Sequence, residues 1–230
     1  MTAPQIVLDD RAVPRETVLE HGRRAASGLH ALGVREGDTV ALLLRNDFAF
    51  FEVQQAAAAV GAYAVPINWH GKADEVGYIL QDAAPRVLVA HADLLQPLRG
   101  HLPPGLAVRV VPTPPEVQQR YGLSDAACTP QPGDVVWHDW LSAHAPWTGE
   151  PRRSRASMIY TSGTTGHPKG VRRVAATPEQ AAAYVAMIAR VYGLVPGVRA
   201  LVAGPLYHAS PNAYGRQALP NAEVLVLQSK

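Results

Sequence analysis

The sequence predicts an α/β fold in which helices cover a mostly parallel β-sheet. Three observations support this prediction: short apolar runs alternate with helical patterns between residues 39 and 90, the connections between them are short, and hydrophobic residues make up 47% of the 230-residue chain. Parallel strands that are buried on both faces read as continuous apolar runs, and a crossover must join each pair. Short right-handed crossovers then place the helices over the sheet.

The first half of the chain contains these elements in a regular order. Residues 16–32 carry apolar side chains at helical spacing, and Gly33 is placed to end that helix. A buried strand is predicted at 39–44, and Asn46 is predicted to cap the helix that follows it. The unit is completed by a strand at 63–67, a helix at 73–82 and a strand at 86–90.

Prolines are dense in the stretch 102–133. Apart from a predicted strand at 107–111, we interpret this stretch as a connection. Either an internal subdomain boundary or a surface loop fits it, and the sequence does not decide between them. Residues 137–144 predict a short helix. We interpret His138 and His144 as surface or packing residues, because no third metal ligand stands at a suitable spacing.

The last third of the chain predicts one more helix and two strands. The helix begins at Thr177, with Pro178 in the first position and Gln180 completing a capping box, and it ends at Gly193. Two buried strands follow, at 198–203 and 223–227. We expect the second of them to leave apolar surface and an open sheet edge, through which the chain could self-associate.

Composition and charge exclude several classes of protein. No apolar run is long enough to span a bilayer, and the first ten residues lack the pattern of a signal peptide. The single cysteine, Cys128, excludes an internal disulfide, is interpreted as a free structural thiol, and makes a cytoplasmic location the default expectation. Nucleic acid is not indicated as a partner, because the basic residues form one cluster without an aromatic platform. That cluster consists of Arg152, Arg153, Arg155, Lys169, Arg172 and Arg173. It is opposed locally only by the carboxylate of Glu150.

Residues 158–171 (MIYTSGTTGHPKGV) join an apolar strand to a loop of hydroxyls, glycines and one lysine. Glycines let backbone N–H groups converge on an anion, the hydroxyls add donors, and Lys169 adds a compact positive charge. The pattern predicts a polyphosphate site, with an ordinary polar turn as the alternative. It is not a Walker A loop, because Lys169 stands between Pro168 and Gly170. The predicted nucleotide-binding residues are Thr161, Ser162, Gly163, Thr164, Thr165, Gly166 and Lys169.

This stretch resembles the phosphate-loop signature of the adenylate-forming enzymes, which include acyl-CoA synthetases, peptide-synthetase adenylation domains and luciferases. Residues 61–68 (GAYAVPIN) are also similar to a segment of that family. A second motif at 204–212 (GPLYHASPN) resembles the family's gate beside the acyl pocket. The resemblance implies substrate-binding roles for Tyr207, His208, Pro211 and Asn212. A serine hydrolase is not indicated, since no Gly-x-Ser-x-Gly motif occurs.

The resemblance implies an ATP-dependent, AMP-forming acyl-CoA synthetase that activates a carboxylic acid through an acyl-adenylate and then transfers the acyl group to coenzyme A. Lys169 and Thr165 are implied as catalytic residues that neutralise the leaving pyrophosphate, with Thr165 also a Mg²⁺ ligand. The Pro-Leu-Tyr-His sequence of the gate favours a fatty acid. Two alternatives stay open: an adenylation enzyme that loads a carrier protein, and a non-catalytic nucleotide-binding module.

The resemblance covers only the front part of the large domain of that family. Residues 1–230 are therefore expected to be an incomplete N-terminal AMP-binding domain. The family's adenine and ribose segments, its hinge and its C-terminal domain have no counterpart in this sequence. We expect the chain by itself to bind ATP weakly and to form no adenylate.

Overall fold

The computed structural model describes residues 3–150, 152–153, 155–161 and 168–229. The strands are β1 (Gln5–Leu8), β2 (Arg11–Pro14), β3 (Thr39–Leu43), β4 (Tyr63–Pro66), β5 (Val87–His91), β6 (Ala107–Val111), β7 (Tyr160–Thr161), β8 (Lys169–Gly170), β9 (Val198–Val202) and β10 (Ala222–Leu227). The helices are α1 (Arg15–Ala31), α2 (Phe48–Val60), α3 (Ala73–Ala83), α4 (Ala92–Leu95), α5 (Pro115–Tyr121), α6 (Asp125–Cys128), α7 (Trp137–Ser142), α8 (Pro178–Tyr192) and α9 (Ala209–Asn221), with a 3₁₀ helix at Gln96–His101.

The predicted parallel sheet is confirmed, in the order β4-β3-β5-β6. All three neighbouring pairs are parallel, with Ala41 opposite both Val65 and Leu88. The strands β3, β4 and β5 are buried at every position, as their continuous apolar sequences predict. β6 comes from the proline-rich stretch, so that stretch contributes to the sheet and also contains α5 and α6.

A second sheet, which the sequence did not predict as separate, has the order β2-β1-β10-β9. β1 and β9 both pair in parallel with β10, and β2 pairs with β1 in antiparallel fashion. The prediction that the last strand forms an open sheet edge is wrong, because Leu225 of β10 is paired with Ile6 on one side and Ala200 on the other. Among the described strands of this sheet, the edges are β2 and β9. Exposed apolar side chains lie on β9 and α8: Leu201, Val185, Met187, Val191 and Tyr192.

Helices α1 and α2 lie between the two sheets and share one hydrophobic core with both. This core includes Leu42 of β3, Phe51 of α2 and Leu225 of β10. The two helices approach closely at Gly22, where a Cβ atom would stand 2.8 Å from the Cβ of Gln55. A smaller core fills the other face of the first sheet under α3. The two sheets are therefore joined through their packing on α1 and α2.

Helix starts follow the sequence in one case and differ in another. Thr177 and Gln180 form the predicted capping box of α8. The predicted cap at Asn46 is wrong, because Asp47 accepts the Phe48 N–H at 2.8 Å and caps α2. The Asn46 amide is engaged elsewhere: it accepts the Leu206 N–H at 2.8 Å and donates to the carbonyls of Gly204 and Gln228.

Two smaller predictions concern the thiol and the membrane. Cys128 is buried and free. Within the ranges that the structure describes, no helix combines the length and the apolar character needed to cross a membrane.

Candidate functional site

The predicted phosphate loop is closed by the hairpin of β7 and β8. Thr161 stands opposite Lys169, and Tyr160 stands opposite Gly170. Both Thr161 and Lys169 are exposed at the two ends of the loop. The other predicted nucleotide-binding residues, including the predicted Mg²⁺ ligand Thr165, lie outside the described residues: Ser162, Gly163, Thr164, Thr165 and Gly166.

The stem of this hairpin is fixed to the first sheet and its covering helix. The Met158 N–H donates to the carbonyl of Ala64 at 2.8 Å, and the Met158 side chain is buried in the core under α3. The Tyr160 hydroxyl donates to Asp82 at the end of α3. Burial and then this hydrogen bond raise the pKa of Tyr160, so its hydroxyl stays protonated. A larger residue at position 170 would be crowded, because a Cβ atom there would clash with the Met158 Cε atom and would lie 2.7 Å from the Tyr160 ring.

The basic flank before the loop is better neutralised than the sequence suggested. The Arg155 guanidinium lies 3.1 Å from Glu36, and Arg152 lies 3.7 Å from the same carboxylate. Glu150 is the acidic residue near this cluster in the sequence, and the fold adds Glu36 from a distant part of the chain. Arg155 also donates to the Tyr63 hydroxyl and to the carbonyl of Gly61, both at 3.0 Å. It tethers the approach to the hairpin to β4.

The second motif forms the start of α9. His208 is the N-cap residue of that helix and is exposed, whereas Tyr207 before it is buried. The Tyr207 ring packs against the His208 ring at 4.3 Å and edge-on against Trp69 at 6.1 Å. Burial and the neighbouring Tyr121 raise the pKa of Tyr207. Pro211 lies in the first turn of α9. Its ring is close to Gly204, where a Cβ atom would lie 3.0 Å from the ring.

A buried polar network joins the two motifs. The Asn212 amide oxygen accepts from the Ser157 hydroxyl at 2.9 Å and from the Gln54 amide at 3.0 Å, and its NH₂ donates to the carbonyl of Leu206 at 2.8 Å. Ser157 lies just before the hairpin stem. The Asn212 side chain is thus engaged within the protein, at 3% exposure, and holds the gate against the approach to the phosphate loop. Its predicted contact with a substrate stays a prediction.

A second hydrogen bond links the same two segments. Arg216 of α9 donates to the backbone carbonyl of Arg155 at 2.6 Å. Burial lowers the pKa of Arg216. With the Ser157 contact, this bond fixes α9 to the segment 155–157 at two points.

An apolar cavity of about 430 Å³ opens beside the gate, between α8, β9 and α9. Aromatic and aliphatic side chains dominate its lining, which includes Tyr184, Ile188, Tyr192, Leu201, Pro211 and Tyr214. Gly204 and Pro211 of the second motif belong to its wall. The shape and lining suit an apolar ligand.

A family model described as "AMP-binding enzyme" matches residues 5–213. The chain belongs to the AMP-binding enzyme family. This match covers both motifs and nearly all of the described fold, so the predicted family is confirmed.

Relatives of this AMP-binding enzyme include two curated ligases. The fatty acid–[acyl-carrier-protein] ligase ScoC of Streptomyces coeruleorubidus is 31% identical over 175 residues, which are 74% of this chain and 30% of ScoC. The long-chain-fatty-acid–CoA ligase FadD13 of Mycobacterium tuberculosis is 35% identical over 162 residues, which are 64% of this chain and 27% of FadD13. The chain thus spans less than a third of the length of these relatives.

The crystal structure of ATP-bound MatB from Rhodopseudomonas palustris has the same fold. It aligns with 98% of this chain and 42% of its own chain, with a TM-score of 0.74 and 19% identity. The predicted fold class, a helix-covered and mostly parallel sheet of the adenylate-forming type, is confirmed by this likeness and by the strand pairing.

Sequence reasoning on this AMP-binding enzyme found the motifs but missed the residues that join them. Gln54 and Ser157 make that link, Asn46 holds only the second motif, and each of the three bonds to a residue far away in the chain. The signal that could have indicated Asn46 is its polar side chain three residues after the buried strand β3, since ligands and polar contacts commonly lie beyond the carboxyl ends of parallel strands.

Proposed function

We propose that this chain provides the phosphate-binding and acid-binding parts of an ATP-dependent, AMP-forming acyl-CoA synthetase. The observation that supports this most directly is the Ser157–Asn212 hydrogen bond of 2.9 Å, which connects the phosphate-loop stem to the gate. Adenylate formation requires a carboxylate oxygen to attack the α-phosphorus of ATP while pyrophosphate leaves. The acid site and the phosphate site must therefore be held next to each other.

On the phosphate side, Thr161 and Lys169 flank the loop at the end of the hairpin. We assign Lys169 to the pyrophosphate, because its positive charge would stabilise the negative charge that develops as pyrophosphate leaves. We assign to residues 162–166, on their sequence, the role of hydroxyl and backbone N–H donors to the phosphates. We assign Thr165 as one residue that would hold a Mg²⁺ ion, which would supply positive charge to the phosphates.

On the acid side, the cavity of about 430 Å³ supports an apolar acyl chain. We propose that Tyr207, His208 and Pro211 form its mouth, because the second motif contributes both Gly204 and Pro211 to the wall. The names of both relatives specify a fatty acid. A fatty acid is therefore the substrate class that we propose, with the chain length set by how far the apolar lining extends.

The acceptor of the acyl group distinguishes two candidate functions. FadD13 is named a CoA ligase, whereas ScoC, which aligns with more of this chain, is named an acyl-carrier-protein ligase. We propose coenzyme A as the acceptor, and a carrier protein as the second candidate. Release of AMP that depends on coenzyme A would support the first, and release that depends on a carrier protein would support the second.

A cytoplasmic location accompanies either candidate, since the buried Cys128 is a free thiol.

The test is acid-dependent exchange of pyrophosphate into ATP, measured with a panel of fatty acids in the longest gene product that contains this chain. Lys169→Ala should lower the exchange rate by about 10²-fold, the scale of losing one preorganised electrostatic contact. Lys72→Ala is the matched control: Lys72 precedes α3 and makes no capping bond there with its side chain, so the rate should not change. An unchanged rate in Lys169→Ala would contradict the phosphate-loop assignment.

A further inference from the structure

Three helices bring two histidines and a glutamate together outside both motifs. His21 lies on α1, Glu52 on α2 and His138 on α7. One ligand atom from each of the three lies within 4.8 Å of the others. The sequence interpretation found no third ligand for His138, because the other two residues belong to helices far away in the chain.

Glu52 is the centre of this group and is buried among apolar side chains of α2. Its Oε1 lies 2.7 Å from His21 Nδ1, and its Oε2 accepts the Trp137 indole N–H at 2.6 Å. Both carboxylate oxygens are therefore directed toward this group of polar side chains.

The Trp137 hydrogen bond gives the carboxylate a fixed orientation. Such a bond from outside the ligand group is a common feature of protein metal sites, where it positions the ligand and tunes its affinity. Trp137 is completely buried, so the indole cannot turn away. The oxygen Oε1 is thereby directed toward His21.

We propose that His21, Glu52 and His138 form a binding site for a divalent transition-metal ion of the zinc type. Two imidazoles and one carboxylate are a ligand set that zinc takes, and imidazole pairs do not suit Mg²⁺ or Ca²⁺. Ligand atoms around a tetrahedral zinc lie about 3.4 Å apart. His138 Nε2 lies 3.7 Å from Oε2 of Glu52, close to that value, whereas the 2.7 Å between His21 Nδ1 and Oε1 is a hydrogen bond that has to lengthen when the ion binds.

The exposure of the ligands fits a site that opens to solvent on one side. Glu52 is the buried ligand, whereas the His138 side chain is 50% exposed. A rotation of this half-exposed ring closes the group around an ion and leaves the fourth position to a water molecule. The bound ion would tie α7 to α1 and α2, and it would stabilise the folded chain as far as it binds that state in preference to the unfolded one.

The experiment titrates the metal-free chain with Co²⁺, whose visible absorption reports a tetrahedral site, and then displaces Co²⁺ with Zn²⁺ while calorimetry measures the Kd. The wild-type chain should show the band and an increase in Tm with Zn²⁺. His138→Ala should weaken Zn²⁺ binding by about 10-fold or more. His101→Ala is the matched control, since His101 is similarly exposed and stands 3.6 Å from a single carboxylate, that of Asp74.

The other outcomes overturn the proposal. The chain has nine histidines, so binding that is weakened equally by His101→Ala and His138→Ala would be adventitious. Equal affinity in the wild type and in His138→Ala, or no visible band with Co²⁺, would also contradict the site. Glu52→Gln removes the charge with little change of shape, and His21→Ala serves as the second ligand variant where the Gln variant does not fold.

Discussion

His208 is the residue at which the proposed acid selectivity can be tested most directly. It is exposed, it caps α9, and its N–H is held by the carbonyl of Pro205 at 3.0 Å. We expect His208→Ala to change the KM for the acid, or the preference among chain lengths, more than the KM for ATP. The reason is its place in the gate motif, whose Gly204 and Pro211 belong to the cavity wall, and not in the hairpin of β7 and β8.

Steady-state kinetics with fatty acids of several lengths measure this effect, and His101→Ala controls for the loss of an exposed imidazole elsewhere. A rise in the KM for ATP alone would contradict the gate role of His208.

The pair of Glu52 and His138 predicts how stability depends on pH in the metal-free chain. Glu52 raises the pKa of His138 above its ordinary value of 6.5, against the effect of burial. A raised pKa in the folded state stabilises the fold at pH values below 6.5, and this contribution disappears as the pH rises through the raised pKa. The free energy of unfolding should therefore fall on going from about pH 6 to about pH 8.5.

The lowered pKa of Glu52 makes the free energy of unfolding depend on pH in the opposite direction. Its stabilising contribution is present above pH 4.5 and is lost in acid below that value. Urea unfolding at several pH values measures both effects. In His138→Gln the fall toward alkaline pH should be smaller than in the wild type, and an identical fall in the two proteins would show that other groups cause it.

The close contact of helices α1 and α2 predicts that adding even a methyl group at Gly22 lowers the free energy of unfolding. Gly22→Ala places a methyl group 2.8 Å from the Cβ of Gln55. This Cβ atom is bonded to the α2 backbone and cannot move away freely. Overpacking of this kind costs about 1–3 kcal/mol. The better helix propensity of alanine offsets about 1 kcal/mol. The free energy of unfolding should therefore fall by up to about 2 kcal/mol.

Gly100→Ala is the matched control for this prediction, because a Cβ atom at Gly100 would meet nothing within 4 Å. Chemical unfolding of both variants gives the comparison. Equal stability of the two would show that α2 yields to the added methyl group.

The elements that could be predicted from the sequence are those whose signal lies within one short segment. β3 and β5 are continuous apolar runs, and the capping box of α8 lies within four residues. β1 and β2 were missed because only alternate residues of β1 are buried, and β2 contains Arg11 and has no fully buried residue. Asp9, with a φ of 49°, turns the chain between them, and this short acidic turn was the available signal.

Across the whole molecule, the candidate site shows the same limit. The motif residues Lys169, Tyr207 and His208 could be identified from the sequence by resemblance. The contacts that hold their segments in place, Ser157 to Asn212 and Glu36 to Arg155, join residues from distant parts of the chain. Such pairs follow from the packing of two sheets around shared helices, which periodicity in a single segment does not reveal.

That shared core also bears on whether the proline-rich stretch 102–133 separates two subdomains, which stays a prediction. Leu42 of β3 and Leu225 of β10 are both buried in the core that spans the two sheets. We expect the chain to unfold in one cooperative transition, since loss of either sheet exposes the apolar faces of α1 and α2.

Matched substitutions in the two sheets test this expectation. Leu42→Ala and Leu225→Ala should each lower the free energy of unfolding by about 2–5 kcal/mol and should each shift the whole transition. Far-ultraviolet circular dichroism and tryptophan fluorescence should follow the same urea curve in both variants. Residues 102–133 would be a true boundary if Leu225→Ala moved only one of two resolved transitions and left the other at its wild-type midpoint, because the second sheet would then unfold independently of the first.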